Sequence, residues 1–200
     1  MENTEFRTAA ADDLPRILQI IEQARRRMAA AGSRQWQDGY PAPENIAADL
    51  ANGYGHVICL HPGSRHPAAA AQRSLPAVGP DDGNRRGEVM AYGAIAFDGE
   101  PAYDALDGQW LCDQPYVVVH RLAVADEALG QNLGTEFLRH AERLACERGV
   151  TSFRVDTNFD NQRMLRILAR EGFVRCGKVS YRGSEREAFE KRLTATTERS

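Results

Sequence analysis

The sequence predicts an α/β fold in which strands and helices alternate, and three stretches carry that prediction. The run Val117 to Val124 is apolar and β-branched enough for a buried strand, and Phe137, Leu138, Ala141, Leu144 and Ala145 follow it at helical spacing. Further on, VTSFRVDT (Val150 to Thr157) reads as a strand and leads into DNQRMLRILAREGF, where Met164, Leu165, Ile167 and Leu168 form an apolar helical stripe. Near the start, DDLPRILQIIEQARRRMAA alternates at the helical period. Two hundred residues with 42% hydrophobic content are ample for one layered core. Residues 1–200 are therefore read as one domain, with its core over about 6–193.

In chain order, FRTAA is a short edge strand, and the first helix buries Leu14, Ile17, Leu18, Ile21, Ala24 and Met28. Asp12 is its expected N-cap, Pro15 falls in the tolerant first turn, and Gly32 closes it. SRQWQDGYPAP is a polar-aromatic loop, ENIAADLA a short helix, and Gly53 and Gly55 lead into the strand HVICL. Residues 62–87 show little apolar periodicity and read as a long flexible insertion in a β-hairpin. The strand EVMAYGAIAF follows, and a second aromatic segment, PAYDALDGQWLCDQPY, precedes the strand at Val117. Gly149 stops the next helix, Asp160 is the expected N-cap of the one after, and Gly172 ends it. FVRCGKVSY and REAFEKRL form a closing antiparallel pair around Arg182-Gly183-Ser184, and ATTERS is a frayed tail.

Charge and cysteine usage narrow the function classes. With 25 Lys and Arg against 28 Asp and Glu, the net charge is −3, whereas nucleic acid or an acidic membrane surface would call for a basic excess. Neither is expected as a partner, and a homodimer is left open. Cys59, Cys112, Cys146 and Cys176 are far apart and show no metal spacing, so no metal and a reduced, cytoplasmic setting are expected. No run approaches membrane-spanning length.

The turn between the strand at Val117–Val124 and the helix after it carries the chemistry. Gly130 and Gly134 permit close backbone approach, and the first N–H groups of the helix, with its dipole, favour a phosphate by roughly 0.3–1 kcal/mol. This stretch resembles the acyl-CoA pyrophosphate loop of the GNAT acetyltransferase superfamily. The family pattern Arg/Gln-x-x-Gly-x-Gly/Ala aligns without gaps as Leu129-Gly130-Gln131-Asn132-Leu133-Gly134, with Thr135 next. Leu129 replaces the usual Arg or Gln and Asn132 the first Gly. Asn tolerates positive φ better than most residues, and the cradle is made mainly of backbone N–H groups. Strand, Asn161, short helix and Gly172-Phe173 resemble the second GNAT signature, in which the Asn contacts the pantetheine arm.

The resemblance spans roughly Phe6 to Leu193. It implies a mixed, mostly antiparallel sheet flanked by helices, with the strands ending at Val124 and near Thr157 parallel but splayed. It implies acetyl-CoA as co-substrate, its arm lying in that gap against backbone near Leu122 and Val124. It further implies an acetyltransferase that moves the acetyl group to an amine by direct attack on the thioester. The family's common thiolate acid, a Tyr in Tyr-x-x-x-Gly-Phe, aligns here with Leu168 and is absent.

His120 is the candidate general base. Period-two alternation puts Tyr116, Val118, His120, Leu122 and Val124 on one face, and an imidazole with a pKa near 6.5 can accept an ammonium proton. Several GNAT enzymes carry Glu at this position, and the arylalkylamine acetyltransferases resemble this chain in having His. The alternative is a buried, hydrogen-bonded structural His. Asp156 and Asn158 are placed to orient His120 or the substrate, or simply to cap the strand end.

Trp36, Tyr40, Tyr103, Trp110 and Tyr116 lie in the two regions that wall the acceptor pocket in the family, interspersed with Asp38, Asp104, Asp107 and Asp113. Aromatic faces with carboxylates suit a cationic amine, although Trp36 and Tyr103 also fit as core plugs. The expectation is an acetyl-CoA-dependent N-acetyltransferase of a small-molecule primary amine. A protein N-terminal or lysine acetyltransferase is the alternative within the class, and a non-catalytic acyl-CoA sensor the alternative outside it.

Overall fold

A computed structural model describes residues 4–61, 87–181 and 183–194. The expected insertion, apart from Gly87, lies outside the described residues, as do Arg182 of the closing turn and the tail at 195–200. The elements are β1 (Thr4–Thr8), α1 (Leu14–Ala30), α2 (Pro43–Ala51), β2 (Gly55–Leu60), β3 (Glu88–Ala96), β4 (Asp107–Gly108), β5 (Tyr116–Val124), α3 (Leu133–Glu147), β6 (Ser152–Thr157), α4 (Gln162–Arg170), β7 (Val174–Tyr181) and β8 (Ser184–Arg192). The strands form one sheet in the order β1-β2-β3-β5-β6-β8-β7-β4. Every pair is antiparallel except β5–β6, the mixed sheet that the sequence predicts. The two-residue β4 was not anticipated, since so short an element has no period to read.

Helix α1 buries Ile17, Ile20, Ile21 and Ala24 against the sheet, so Ile20 joins the expected apolar face. Its N-terminus differs from expectation. A 3-10 turn over Ala11–Asp13 precedes it, and Asp13, not Asp12, folds back to accept the Ala10 N–H at 2.7 Å and two N–H groups of Arg7 at 2.7 and 2.9 Å. Helix α3 lies against β3 through Phe137, whose ring leaves no room for a side chain at position 93: a Cβ on Gly93 would sit 2.7 Å from it. At α4 the cap is Asn161, whose side chain accepts the Met164 N–H at 3.2 Å, while Asp160 is turned away toward the α1–α2 loop.

Strand β5 departs from regular alternation at the point that matters most. Tyr92 pairs with Ala123 and Ala94 with His120, so two steps on β3 face three on β5. The extra residue is a β-bulge centred on Arg121, which takes φ 57°. Tyr116, Val118 and His120 therefore share a face as expected, but Val124, paired with Ala91, turns to the opposite one. Beyond the bulge the sheet also opens. Strands β5 and β6 pair only at Tyr116–Ser152, Val117–Phe153 and Val118–Arg154, and then diverge. The gap leaves one edge of β5 without a strand partner from Val119 onward.

Candidate active site

Two adjoining cavities occupy the gap. The larger, of about 610 Å³, runs between the start of α3 and α4. Of the residues expected to hold the cofactor, Leu122, Val124, Leu129, Gly130, Asn132, Gly134, Thr135 and Asn161 line it. Gln131 and Leu133 do not: the Gln131 amide turns back to the Glu127 carbonyl at 3.4 Å, and Leu133 is buried in the core. Gly130 (φ 84°) and Asn132 (φ 63°) take the left-handed conformation that the turn requires, and Asn132 is the N-cap residue of α3.

The cleft is also strongly cationic, which the motif alone did not disclose. Arg27, Arg163, Arg166 and Arg170 line it. Arg170 crosses to the loop, donating to Asn132 Oδ1 at 3.1 Å and Thr135 Oγ1 at 2.5 Å, and Arg27 donates to the Val124 carbonyl at 2.7 Å and pairs with Asp126. Burial, with Arg27 and Arg166 nearby, lowers the Arg163 pKa. A helix N-terminus, an exposed strand edge and a cluster of arginines fit a long, phosphate-bearing thioester such as acetyl-CoA. At Gly134 a Cβ would be directed toward Ile167 and Val124, 3.7 and 3.9 Å away, both of which line the cleft.

The inner cavity, of about 40 Å³, is lined by His120, Arg121, Trp36, Tyr40, Asp156 and Arg186 among others. Met28, Leu122, Asn161 and Met164 line both cavities, so the two adjoin. The α1–α2 loop covers the inner one. It is strapped to the start of α4 by Asp160, which accepts the Ser33 hydroxyl at 2.6 Å and the Arg34 N–H at 3.0 Å, and by Gln35, whose side-chain Oε1 accepts from Asn161 Nδ2 at 2.9 Å. These contacts, between residues more than 120 positions apart, set Trp36 and Tyr40 over the gap.

Charged groups meet around His120. Its Nε2 lies 3.3 Å from Glu100 Oε2. Burial lowers its pKa below the usual value against the opposing pull of Asp156, Glu100 and Asp49, and Arg121 adds to the lowering. Arg121, on the bulge, donates Nε and Nη2 to the two oxygens of buried Asp49 at 2.7 and 2.5 Å and Nη1 to the Tyr40 hydroxyl at 2.5 Å. Tyr92 donates to the same carboxylate at 2.7 Å. Asp156 accepts from Tyr103 at 2.8 Å, Tyr181 at 3.2 Å and Arg186 at 3.1 Å.

Tyr103, Trp110, Tyr116 and Asn158 are not brought to the inner cavity. The three aromatics belong to a second, smaller core with Val118, Val179 and Ala188. Arg154 inserts between Trp110 and Tyr116, its guanidinium 4.3 and 4.1 Å from their ring centres, and pairs with fully buried Glu190. Tyr103 reaches the cavity only through its bond to Asp156, and Asn158 is buried at the start of the β6–α4 turn. The Leu168 side chain is wholly inside the main core.

A sheet split beside a helix N-terminus, with a cationic cleft adjoining a half-buried imidazole, suits a group-transfer enzyme that takes a phosphate-bearing donor. The acetyltransferase (GNAT) family model matches residues 43–173, and the chain belongs to that family. A GNAT-family acetyltransferase of Streptococcus agalactiae is 31% identical, with 96% of each chain covered and a TM-score of 0.75. One of Listeria monocytogenes is 21% identical, with 95% of each covered and a TM-score of 0.67. The protein yncA of Salmonella typhimurium, solved with its cofactor acetyl-CoA, shares the fold at 15% identity over 100% of this chain and 99% of that one, with a TM-score of 0.59. No curated protein matches. The chain is thus an acyltransferase of a family that uses acetyl-CoA, and the sensor reading is set aside. No helix among the described residues is long and apolar enough to cross a membrane.

Proposed function

We propose that the chain transfers an acetyl group from acetyl-CoA to the primary amine of a small molecule, by direct attack of the amine on the thioester. The observation that carries this reading is the junction of the two cavities, where the donor cleft ends at a chamber faced by His120. Acetyl-CoA supplies the activated acyl group. The protein's own residues supply proton transfer, orientation and exclusion of water.

His120 accepts the proton of the attacking amine. Its lowered pKa keeps the imidazole neutral near pH 7, the form that can accept. Glu100 engages Nε2 and fixes the ring, leaving Nδ1 to receive the proton. Tyr40, held by Arg121, is the phenol lining the chamber, and we assign it the protonation of the leaving thiolate in place of the Tyr that Leu168 lacks. Trp36 and Tyr40 close the chamber, and positioning in so confined a space can supply roughly 7–11 kcal/mol of the barrier reduction.

That confinement supports a small acceptor over a lysine or N-terminus presented on a protein. The deciding assay screens small primary amines and short peptides for release of free thiol from acetyl-CoA. Turnover confined to the peptides would overturn the small-molecule reading.

A further inference from the structure

Resting on that reading, we infer that the acceptor carries an anionic group beside its amine, a carboxylate in the first instance, and that Arg186 holds it. Arg186 projects from β8 into the inner cavity. It is built into place: Nη1 donates to Asp156, the guanidinium lies 4.6 Å from the centre of the Tyr181 ring, and Tyr40 faces it at 6.0 Å. Its donors are nevertheless mostly unused. Nε is buried without an acceptor, and among the described residues Nη2 has none either. A guanidinium offers five N–H groups in a fixed fork, and buried donors are rarely left unpaired. A ligand carboxylate accepts two such N–H groups side by side.

Arg121, the other cation of the chamber, differs. Asp49 takes Nε and Nη2 and Tyr40 takes Nη1, so each of its three nitrogens is already bonded, whereas Arg186 uses one. Asp156 is matched as well, by Tyr103, Tyr181 and Arg186. What is left is a half-used guanidinium at Arg186, ion-paired to Asp156 through Nη1 but with no acceptor for Nε or Nη2 among the described residues, and, around His120, the carboxylate of Glu100. An ammonium beside His120 and Glu100 with a carboxylate on Arg186 satisfies both. A polyamine would instead set a second positive charge against Arg186. The acceptor class is therefore the amino-acid type, with amine and acid on one small molecule.

Calorimetric binding to the CoA-saturated protein tests this with matched pairs, each an α-amino acid and the amine made by removing its carboxylate. At least one acid-bearing member should bind tenfold or more tightly than its partner. Arg186→Gln should collapse that ratio toward one, and Arg186→Lys should restore part of it, with thermal unfolding confirming that each variant is folded. If Arg186→Gln does not fold, the Arg186→Lys ratio decides alone. Equal binding within every pair, tighter binding of the decarboxylated members, no binding of any pair, or a ratio unchanged in the variants would each overturn the inference. Thiol release measured alongside separates the two claims. Turnover without acid preference defeats the anion site but leaves the amine acetyltransferase standing, whereas acid-selective binding without turnover does the reverse.

Discussion

The donor cleft and the acceptor chamber share four wall residues yet are built in opposite ways. The cleft is centred on one continuous turn, Leu129 to Thr135, with α4, the end of α1 and the end of β5 as its other walls, so backbone N–H groups and long arginine side chains provide its contacts. The chamber is assembled from α1, the α1–α2 loop, β5, β6 and β8, and its groups are locked by bonds between residues 72 to 127 positions apart. A surface of backbone should tolerate changes of side chain that do not block it. A chamber of mutually bonded side chains should not. Backbone strain is common to both: Trp36, Arg121 and Asn132 are the non-glycine residues with positive φ among those described, and all three line the cavities. For residues as bulky as Trp36 and Arg121 such a conformation costs of order 1–3 kcal/mol and persists where the surroundings enforce it.

The largest expected effect lies in the chamber. His120→Ala should slow turnover by about a hundredfold or more while leaving acetyl-CoA binding intact, because the backbone edge of β5 is unchanged. In the wild type, kcat/KM should rise through a pKa below 6.5 as pH increases, since only the neutral imidazole accepts a proton and burial holds its pKa down. Amines of differing basicity separate this limb from ionisation of the substrate. A His120→Ala enzyme with the wild-type rate and profile would remove His120 as the base.

Next comes the change that a backbone surface cannot absorb. Gly134→Asp puts bulk and negative charge into the cleft proposed to take the donor's phosphates. Acetyl-CoA at about 100 times its dissociation constant should stabilise the wild type by roughly 2.7 kcal/mol, and the variant should lose that stabilisation. A full thermal shift in Gly134→Asp would mean that phosphate binds elsewhere.

The two tryptophans sharpen the contrast between chamber and core. Trp36→Ala should raise the amine KM and also lower stability, by about 3–5 kcal/mol, as Trp36 both lines the chamber and is buried in the main core. Trp110→Ala should lower stability alone, with the amine KM unchanged, because it removes one face of the slot around Arg154 and loosens the buried Arg154–Glu190 pair, a loss of about 2–4 kcal/mol. Denaturant unfolding and steady-state kinetics on both variants distinguish the cases.

Legibility from sequence followed the same division. The phosphate turn, the αL role of Asn132 and the split between β5 and β6 were readable because a local motif specifies them. The bulge at Arg121 was not: an extra residue in one strand is defined only against its partner, and β3 was separated from β5 by the aromatic segment. That bulge is why strict alternation misplaced Val124. Glu100 and Arg186 carried no local signal either, one lying before a 3-10 turn and the other among alternating charges of β8. The aromatic segments, read alike from composition, divide between two places. Trp36 and Tyr40 cover the chamber, while Tyr103, Trp110 and Tyr116 fill a separate core around Arg154.

Removing the carboxylate that fixes His120 should have a moderate effect. Glu100 raises the His120 pKa against the lowering by burial and by Arg121, with Asp156 and Asp49 acting in the same sense as Glu100. Glu100→Gln keeps a hydrogen-bonding side chain but not the charge, so the acid limb of kcat/KM should move to lower pH. The plateau rate should fall by less than in His120→Ala, because the base is present but less firmly oriented. A limb that moves to higher pH, or not at all, would show that Glu100 does not act on His120 and serves only as the cap that accepts the Ala102 N–H at 3.1 Å.

The smallest effect expected tests the cleft's construction directly. Leu129 stands where the family pattern has Arg or Gln, so Leu129→Arg supplies the side-chain donor that this chain lacks. If backbone N–H groups and the four lining arginines already hold the donor, one more cation at the rim adds little. Exposed ion pairs contribute about 0–1 kcal/mol, so the acetyl-CoA KM should fall by no more than about fivefold, and raised ionic strength should erase the gain. The amine KM should be untouched, since Leu129 lines the cleft and not the chamber. An improvement of a hundredfold would contradict the contrast between the two cavities. It would mean that the native cleft is short of a side-chain contact, and that its backbone cradle is not what holds the donor.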